Sequence, residues 1–299
     1  MTQFFSLYIF SVLLNAVNAF YLYKKYQLTA GTSLWANTVY LIINGVVSAI
    51  FPIFLLLIRG EQLQYSTYSF LVALAIVICS ALGTISHMKA YAMGKIATVN
   101  VLSTVGGIVL SCTWGLLVLR ESLSVLDTLA IGIMLLSTIL IRAEKDEGTG
   151  RGALKFYLTV IFMIFLGSAV SILNKQHQVE ANFATIDTLS FSVWVALIRT
   201  VLFSIIAVIQ LFQPHKTTIR FPKSVFAYAA VSSLISGGCY IITLFTSTVL
   251  PIVITSPLGT GLNILLSTLL PWIFYRESLN KTQIAGVLLS FAGVIMFLI

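Results

Sequence analysis

Arg120-Glu121-Ser122-Leu123 closes one long apolar run, and Arg276-Glu277-Ser278-Leu279 closes another 156 residues later. The same offset carries Leu102, Thr104, Ile108, Leu110 and Ser111 onto Leu258, Thr260, Ile264, Leu266 and Ser267. Further upstream it carries Val39, Leu41, Ile42 and Ser48 onto Val195, Leu197, Ile198 and Ser204. At an offset of 151, Lys24-Lys25-Tyr26-Gln27 meets Lys175-Gln176-His177-Gln178, so one connection is five residues longer in the second copy. The chain is one unit written twice. In an apolar protein, such duplication points to a transporter.

Apolar residues make up 59% of the chain and charged ones only 9%, with a mean hydropathy of +1.02. Soluble domains carry roughly a quarter charged residues, so most of this surface is read as facing lipid. Polar punctuation leaves ten spans, at 3–23, 34–58, 67–91, 97–119, 124–141, 154–174, 188–212, 225–246, 252–275 and 282–298. Each is close to the ~20 residues that cross a bilayer as a helix, and none shows the alternation of a barrel strand. The expected fold is an all-α integral membrane protein of ten transmembrane helices. Residues 1–142 form the first five-helix repeat, 143–153 a polar linker and 154–299 the second repeat.

Lys24 and Lys25 follow the first apolar run rather than precede it, which argues against a cleavable signal and for an external N-terminus. Twelve Lys and Arg, among them Lys95, Arg151 and Lys216, then fall on the inner side. Only Arg59, Arg120 and Lys175 fall on the outer side. By the positive-inside rule both termini are expected outside the cell membrane. Five spans per repeat, an odd number, give the two copies opposite orientations. The net charge of +8 is thus a topology signal, with some attraction to anionic lipid. The basic residues are scattered and lack an aromatic platform, so nucleic acid is not expected as a partner.

Cys79, Cys112 and Cys239 all lie inside spans and read as small buried apolar groups, not as a metal site or disulfide framework. His87, His177 and His215 are scattered. All nine acids fall in connections or at span ends, so no acid/base cluster for an enzyme is apparent and no cofactor is expected.

Polar residues recur at helical spacing. Asn100, Thr104, Gly107 and Ser111 share one face, and Ser256, Thr260, Asn263 and Ser267 share the matching face of the ninth span. Ser236, Tyr240, Thr243 and Ser247 keep the same rhythm, while Asn15, Asn18, Asn37 and Asn44 punctuate the first two spans. Single hydroxyls can bond back onto their own helix or tie packed helices together. The matched stripes together indicate a central cavity, because asparagine in lipid needs a partner or water. Pro257 beside Gly259 and Gly261 marks a place where the ninth helix is open to interruption. Small residues at Gly286, Ser290 and Gly293, and at Ala130 and Ser137, permit close helix approach within the fold or in a homodimer.

Two cations lie within spans, Lys89 and Arg199. Leaving either unpaired costs at least ~2.5–3.5 kcal/mol, so each needs water or a partner. Arg199 can serve structure by donating to carbonyls, and Lys89 can snorkel to the inner surface. With no intramembrane carboxylate, the alternative is a site that reads a carboxylate, phosphate or zwitterion.

These features together resemble the drug/metabolite transporter superfamily, in its ten-helix EamA-like branch. Glu121-Ser122-Leu123 and Glu277-Ser278-Leu279 look like its Glu-x-Leu signature closing the fourth helix of each repeat. Gln283 and Gly286 continue the pattern in the second copy, whereas Asp127 and Ala130 depart from it in the first. Arg120 and Arg276 stand where glycine is common. Leu197-Ile198-Arg199 is similar to the family's Leu-x-Arg stretch, and Tyr91 to Lys95 resembles the segment joining the third and fourth helices. The resemblance implies a cavity lined by helices one to four and six to nine, with the fifth and tenth peripheral.

The expected function is secondary transport of a small polar metabolite (an amino acid, carboxylate or other anionic or zwitterionic compound) by alternating access. Asn15, Asn18, Asn44, Lys89, Asn100, Thr104, Arg199, Tyr240, Thr243, Ser256, Thr260 and Asn263 are the expected binding residues. The alternative is efflux of aromatic drugs, using Tyr40, Tyr240, Trp114 and Trp194.

Overall fold

The computed structural model describes residues 2–31, 33–93, 96–142, 153–212, 222–275 and 281–297. Every element among them is helical. Helix α1 (Thr2–Asn18) passes through a π-helical turn (Ala19–Tyr23) into α2 (Lys24–Ala30). There follow α3 (Leu34–Arg59), α4 (Thr67–Met93), α5 (Ile96–Leu117), α6 (Val125–Arg142) and α7 (Ala153–Val179). The chain ends with α8 (Thr188–Leu211), α9 (Lys223–Ser247), α10 (Ile252–Tyr275) and α11 (Lys281–Met296).

Among the described residues, seven helical stretches are long and apolar enough to cross a membrane: Gln3–Ala30, Leu34–Arg59, Thr67–His87, Leu154–Val179, Thr188–Leu211, Lys223–Ser247 and Ile252–Leu270. Leu102–Leu117, Val125–Leu140 and Lys281–Met296 are shorter apolar helices. Large apolar side chains such as Leu57, Leu117, Leu154 and Phe212 stand exposed, as expected for a protein solvated by lipid.

Local chemistry sets the helix ends. Ser33 caps α3 through Ala36 N at 3.2 Å, and Gly60, with φ of 66°, ends it in the left-handed region. Asp187 caps α8 by accepting from Leu189 N and Ser190 N. Ser124 and Asp127 cap α6 reciprocally: Ser124 N donates to Asp127 Oδ2 at 2.9 Å, and Asp127 N to Ser124 Oγ at 3.0 Å. That task accounts for the acid at a position where the second copy has Gln283.

Two compact units emerge, each drawing on both halves of the sequence. Unit 1 comprises Met1–Ile9, Ile78–Gln176 and Thr246–Ile299; unit 2 comprises Phe10–Val77 and His177–Phe245. Within unit 1, α5 packs on α10 and α6 on α11. Within unit 2, α3 packs on α8. The small-residue faces are used inside the fold: Ser137 Oγ donates to Gly286 O at 2.8 Å, and Ser290 Oγ to Gly261 O at 3.1 Å. A Cβ on Gly293 would sit 2.9 Å from Met134 Cγ.

Helix α10 runs unbroken through Pro257. The proline leaves Val253 O without its usual i+4 donor, and the Cys112 thiol donates to that oxygen at 3.6 Å. The room at Gly259 and Gly261 is filled by Tyr8 and Met134, and Tyr8 Oη donates to Thr255 O at 2.6 Å.

A buried ion pair fixes the start of α10. Arg120 takes a left-handed φ of 52°, which ends α5 and lets Glu121 N donate to Gly115 O at 3.0 Å. Glu121 then accepts from Ile252 N at 3.0 Å and Val253 N at 3.1 Å, where the α10 dipole favours an anion. Lys175 lies 3.5 Å from Glu121 and donates to Ser247 O and Leu250 O, each at 2.8 Å, at the close of α9. The sequence places Lys175 beyond the end of a span. Helix α7 continues to Val179, and Lys175 is 6% exposed.

Candidate functional site

The site grows from one tight helix crossing in unit 2. A Cβ on Gly45 would collide with Thr200 Oγ1 and lie 2.9 Å from both Ala196 O and Thr200 N. No side chain fits there, so the backbones of α3 and α8 approach closely. Asn44 is the residue before that glycine, and Arg199 is the residue before Thr200. Arg199 Nη1 donates to Asn44 Oδ1 at 2.7 Å. Asn44 is buried and Arg199 half-buried.

Beside this pair lies a cavity of about 30 Å³, lined also by Ser48, Ser192, Val195, Ala196, Ser236, Gly237 and Tyr240. Helix α9 reaches it because Gly237 has no side chain: a Cβ there would be 2.8 Å from Ser48 Cβ. The polar lining is the guanidinium, a phenol and three hydroxyls, of which Ser48 and Ser192 donate to Gly45 O at 3.3 Å and Leu189 O at 2.8 Å, and Ser236 accepts from Asn18. Among the described residues, the phenols of Tyr40 and Tyr240 stand within electrostatic reach of Arg199. No carboxylate reaches it among the described residues. On its own helix the nearest acid is the cap Asp187, twelve residues and about 18 Å away along the axis. The cation is therefore solvated by an amide oxygen but not neutralised.

A polar chain extends from the cavity. Asn18 Nδ2 donates to Ser236 Oγ at 2.9 Å and to Ser232 O at 3.0 Å, while Asn18 Oδ1 is buried without a partner. Tyr40 Oη and Ser232 Oγ are 2.9 Å apart. Ser11 Oγ and Thr243 Oγ1 lie 3.4 Å apart, and Thr243 also bonds back to Cys239 O at 2.9 Å.

Of the twelve expected residues, the structure brings Asn44, Arg199 and Tyr240 to one cavity and ties Asn18 to it through Ser236. Asn15 and Thr243 are exposed in unit 2. Lys89, Thr104, Ser256, Thr260 and Asn263 belong to unit 1, with Lys89 and Asn263 exposed and the other three half-buried. The side chain of Asn100 lies outside the described residues. Ser192 and Gly237 are lining residues that sequence reasoning passed over. Ser192, Ala196 and Arg199 fall at i, i+4 and i+7, a signal that was readable.

Other polar groups are committed elsewhere. Trp194 Nε1 donates to Gln64 O at 2.9 Å, so its indole nitrogen is already used. His177 is 2% exposed and stacks on Phe191 at 3.7 Å between ring centroids. The Gln178 amide nitrogen can only donate, so His177 Nδ1 accepts from it at 3.1 Å and Nε2–H donates to Ser69 Oγ at 2.9 Å. His215 lies outside the described residues. The described residues contain no cluster of three or more His, Cys, Asp or Glu arranged to hold a metal.

No family model matches the chain, and no curated protein matches it. Among solved structures, the crystal structure of one protein is similar over 99% of this chain and 98% of its own, with a TM-score of 0.77. The two sequences are 13% identical, so the likeness concerns the fold alone.

Proposed function

We propose that this chain is a secondary transporter of the drug/metabolite transporter type, carrying a small anionic or zwitterionic metabolite across the cell membrane by alternating access. The observation that carries the substrate reading is Arg199. A membrane-embedded guanidinium held by an amide, flanked by phenols and without a carboxylate among the described residues is suited to an oxyanion. Ten spans, arranged as two inverted repeats with both termini outside, complete the architecture. In support, α3 packs on α8, α5 on α10 and α6 on α11, each pair standing at matching places in the two copies. Pairing Lys175 with Glu121 inside unit 1 also removes one cation from the outer side, which sharpens the charge asymmetry.

The test is thermal stability of the purified protein against amino acids, carboxylates, phosphates and aromatic cations, with Arg199→Gln and Lys89→Gln alongside. A ligand at ~100 times its Kd adds about 2.7 kcal/mol. The proposal expects a shift with an anion or zwitterion that disappears in Arg199→Gln. Shifts confined to aromatic cations and indifferent to the substitution would replace it with drug efflux.

A further inference from the structure

We infer that Asn44 is a placeholder for the substrate's carboxylate rather than one of its ligands, and that exchanging one for the other loosens the α3–α8 crossing. The inference rests on the anion reading of Arg199. Three observations lead to it.

The first is the bond itself. At 2.7 Å, Arg199 Nη1 to Asn44 Oδ1 is at the short end for a nitrogen donor, as charge-assisted bonds are. The amide oxygen has the planar, two-lone-pair geometry of a carboxylate oxygen but no charge. A carboxylate offers the same guanidinium two parallel bonds and neutralises it, so the exchange runs downhill for an anion. It gains little for a neutral amide.

Space supplies the second. The cavity beside Arg199 is small, about 30 Å³, room for about two waters. A carboxylate pairs with both prongs of the guanidinium most readily when the group that occupies one of its donors moves. Asn44 is the lining residue that holds the guanidinium, so it is the group whose departure both frees donors and opens volume.

Position in the fold is the third. Asn44 precedes Gly45, where α3 and α8 come too close to admit a methyl group. Its bond to Arg199 therefore spans the crossing of two helices from opposite halves of the chain. A ligand shifts a conformational equilibrium only as far as its affinity differs between the two states. Replacing an interhelical bond with a bond to substrate creates that difference. Substrate would bind best where α3 has released Arg199.

This role predicts a sign opposite to that of an ordinary ligand residue. The experiment uses the full purified chain, with sodium acetate as probe and acetamide as its neutral isostere, read by thermal stability and titrated for Kd. Wild type, Asn44→Ala, Asn44→Asp and Arg199→Gln are compared. Removing the placeholder should tighten acetate binding by about tenfold, the equivalent of 1.4 kcal/mol. Acetamide should have no effect on wild type and should stabilise Asn44→Ala less than acetate does. Asn44→Asp supplies the anion internally, so it should unfold at a higher temperature than wild type without ligand and should ignore acetate. Arg199→Gln should ignore acetate as well.

If Asn44→Ala instead weakens acetate binding while Arg199→Gln abolishes it, Asn44 is a ligand. The inference then fails and the anion site stands. Lower ligand-free stability of Asn44→Asp than of wild type also overturns the inference, and this reading does not depend on how well Asn44→Ala folds. Acetate binding that persists in Arg199→Gln, or is absent from both wild type and Asn44→Ala, overturns the anion site itself.

Discussion

Glu121 offers the sharpest quantitative expectation. Its carboxylate holds the first two amides of α10 at 3.0 and 3.1 Å and stands 3.5 Å from Lys175, with the Glu121 side chain 11% and the Lys175 side chain 7% exposed. Glu121→Gln keeps one acceptor oxygen but leaves a buried ammonium without its counter-charge and one amide without a carboxylate. Breaking a buried pair from one side costs about 3–5 kcal/mol, and the retained oxygen places this variant near the low end, at about 3 kcal/mol. Lys175→Met removes two bonds to carbonyls while leaving Glu121 held by its amides, a loss of about 2 kcal/mol. The double variant has no orphaned charge and should lose no more than about 3 kcal/mol, so the pair is coupled by about 2 kcal/mol. Chemical unfolding in mixed micelles, followed by the fluorescence of the four tryptophans, measures all four proteins. Losses that add to within about 0.5 kcal/mol would show that the two ions act independently, and the coupling of the buried pair would be refuted.

Three further expectations follow from the packing. Gly45→Ala forces a methyl group into the α3–α8 crossing and should cost about 3 kcal/mol or more, whereas Gly132→Ala, with nothing within 4 Å, should be neutral or gain up to ~1 kcal/mol. Equal stabilities for the two variants in the same unfolding assay would contradict the crossing. Arg120→Gly relieves a left-handed backbone and should stabilise by about 1 kcal/mol; a loss instead would reveal an unrecognised role for the arginine side chain. Tyr26→Phe removes a fully buried hydroxyl that donates to Ala36 O at 2.6 Å, and should cost about 1–2 kcal/mol by thermal unfolding.

Much of the fold was legible because lipid imposes a simple rule. Apolar length reports helices directly, and the spans read from sequence coincide with α3, α8, α9 and α10 to within a few residues. The rule fails where a helix end is buried among other helices. The tail of α7, Lys-Gln-His-Gln, reads as a polar connection, yet Lys175 and His177 are buried there because Glu121, backbone carbonyls, Ser69 and Gln178 satisfy them. Hydropathy cannot register a polar group whose partner is distant in sequence. The repeated Glu-Ser-Leu announced importance, but the task of Glu121 depended on which helix start lay beside it. Arg199 was conspicuous as a charge inside a span, while its bond to Asn44 depended on the register of two helices 155 residues apart. Cys112 gave no clue at all: its thiol matters because Pro257 orphans a carbonyl on another helix.

The interleaving of the two compact units bears on how such a chain is made. When a ribosome has finished residues 1–142, it has delivered parts of both units and completed neither. Glu121 has then been synthesised without Lys175 and without the α10 amides it will hold. Arg199 arrives long after Asn44 has entered the bilayer. Each early polar group waits for a partner from the later half, so assembly is sealed only near the end of translation. Two polypeptides split between residues 142 and 153 should therefore be degraded when expressed singly and accumulate when expressed together. A cut between residues 142 and 153 therefore runs through both compact units rather than between them.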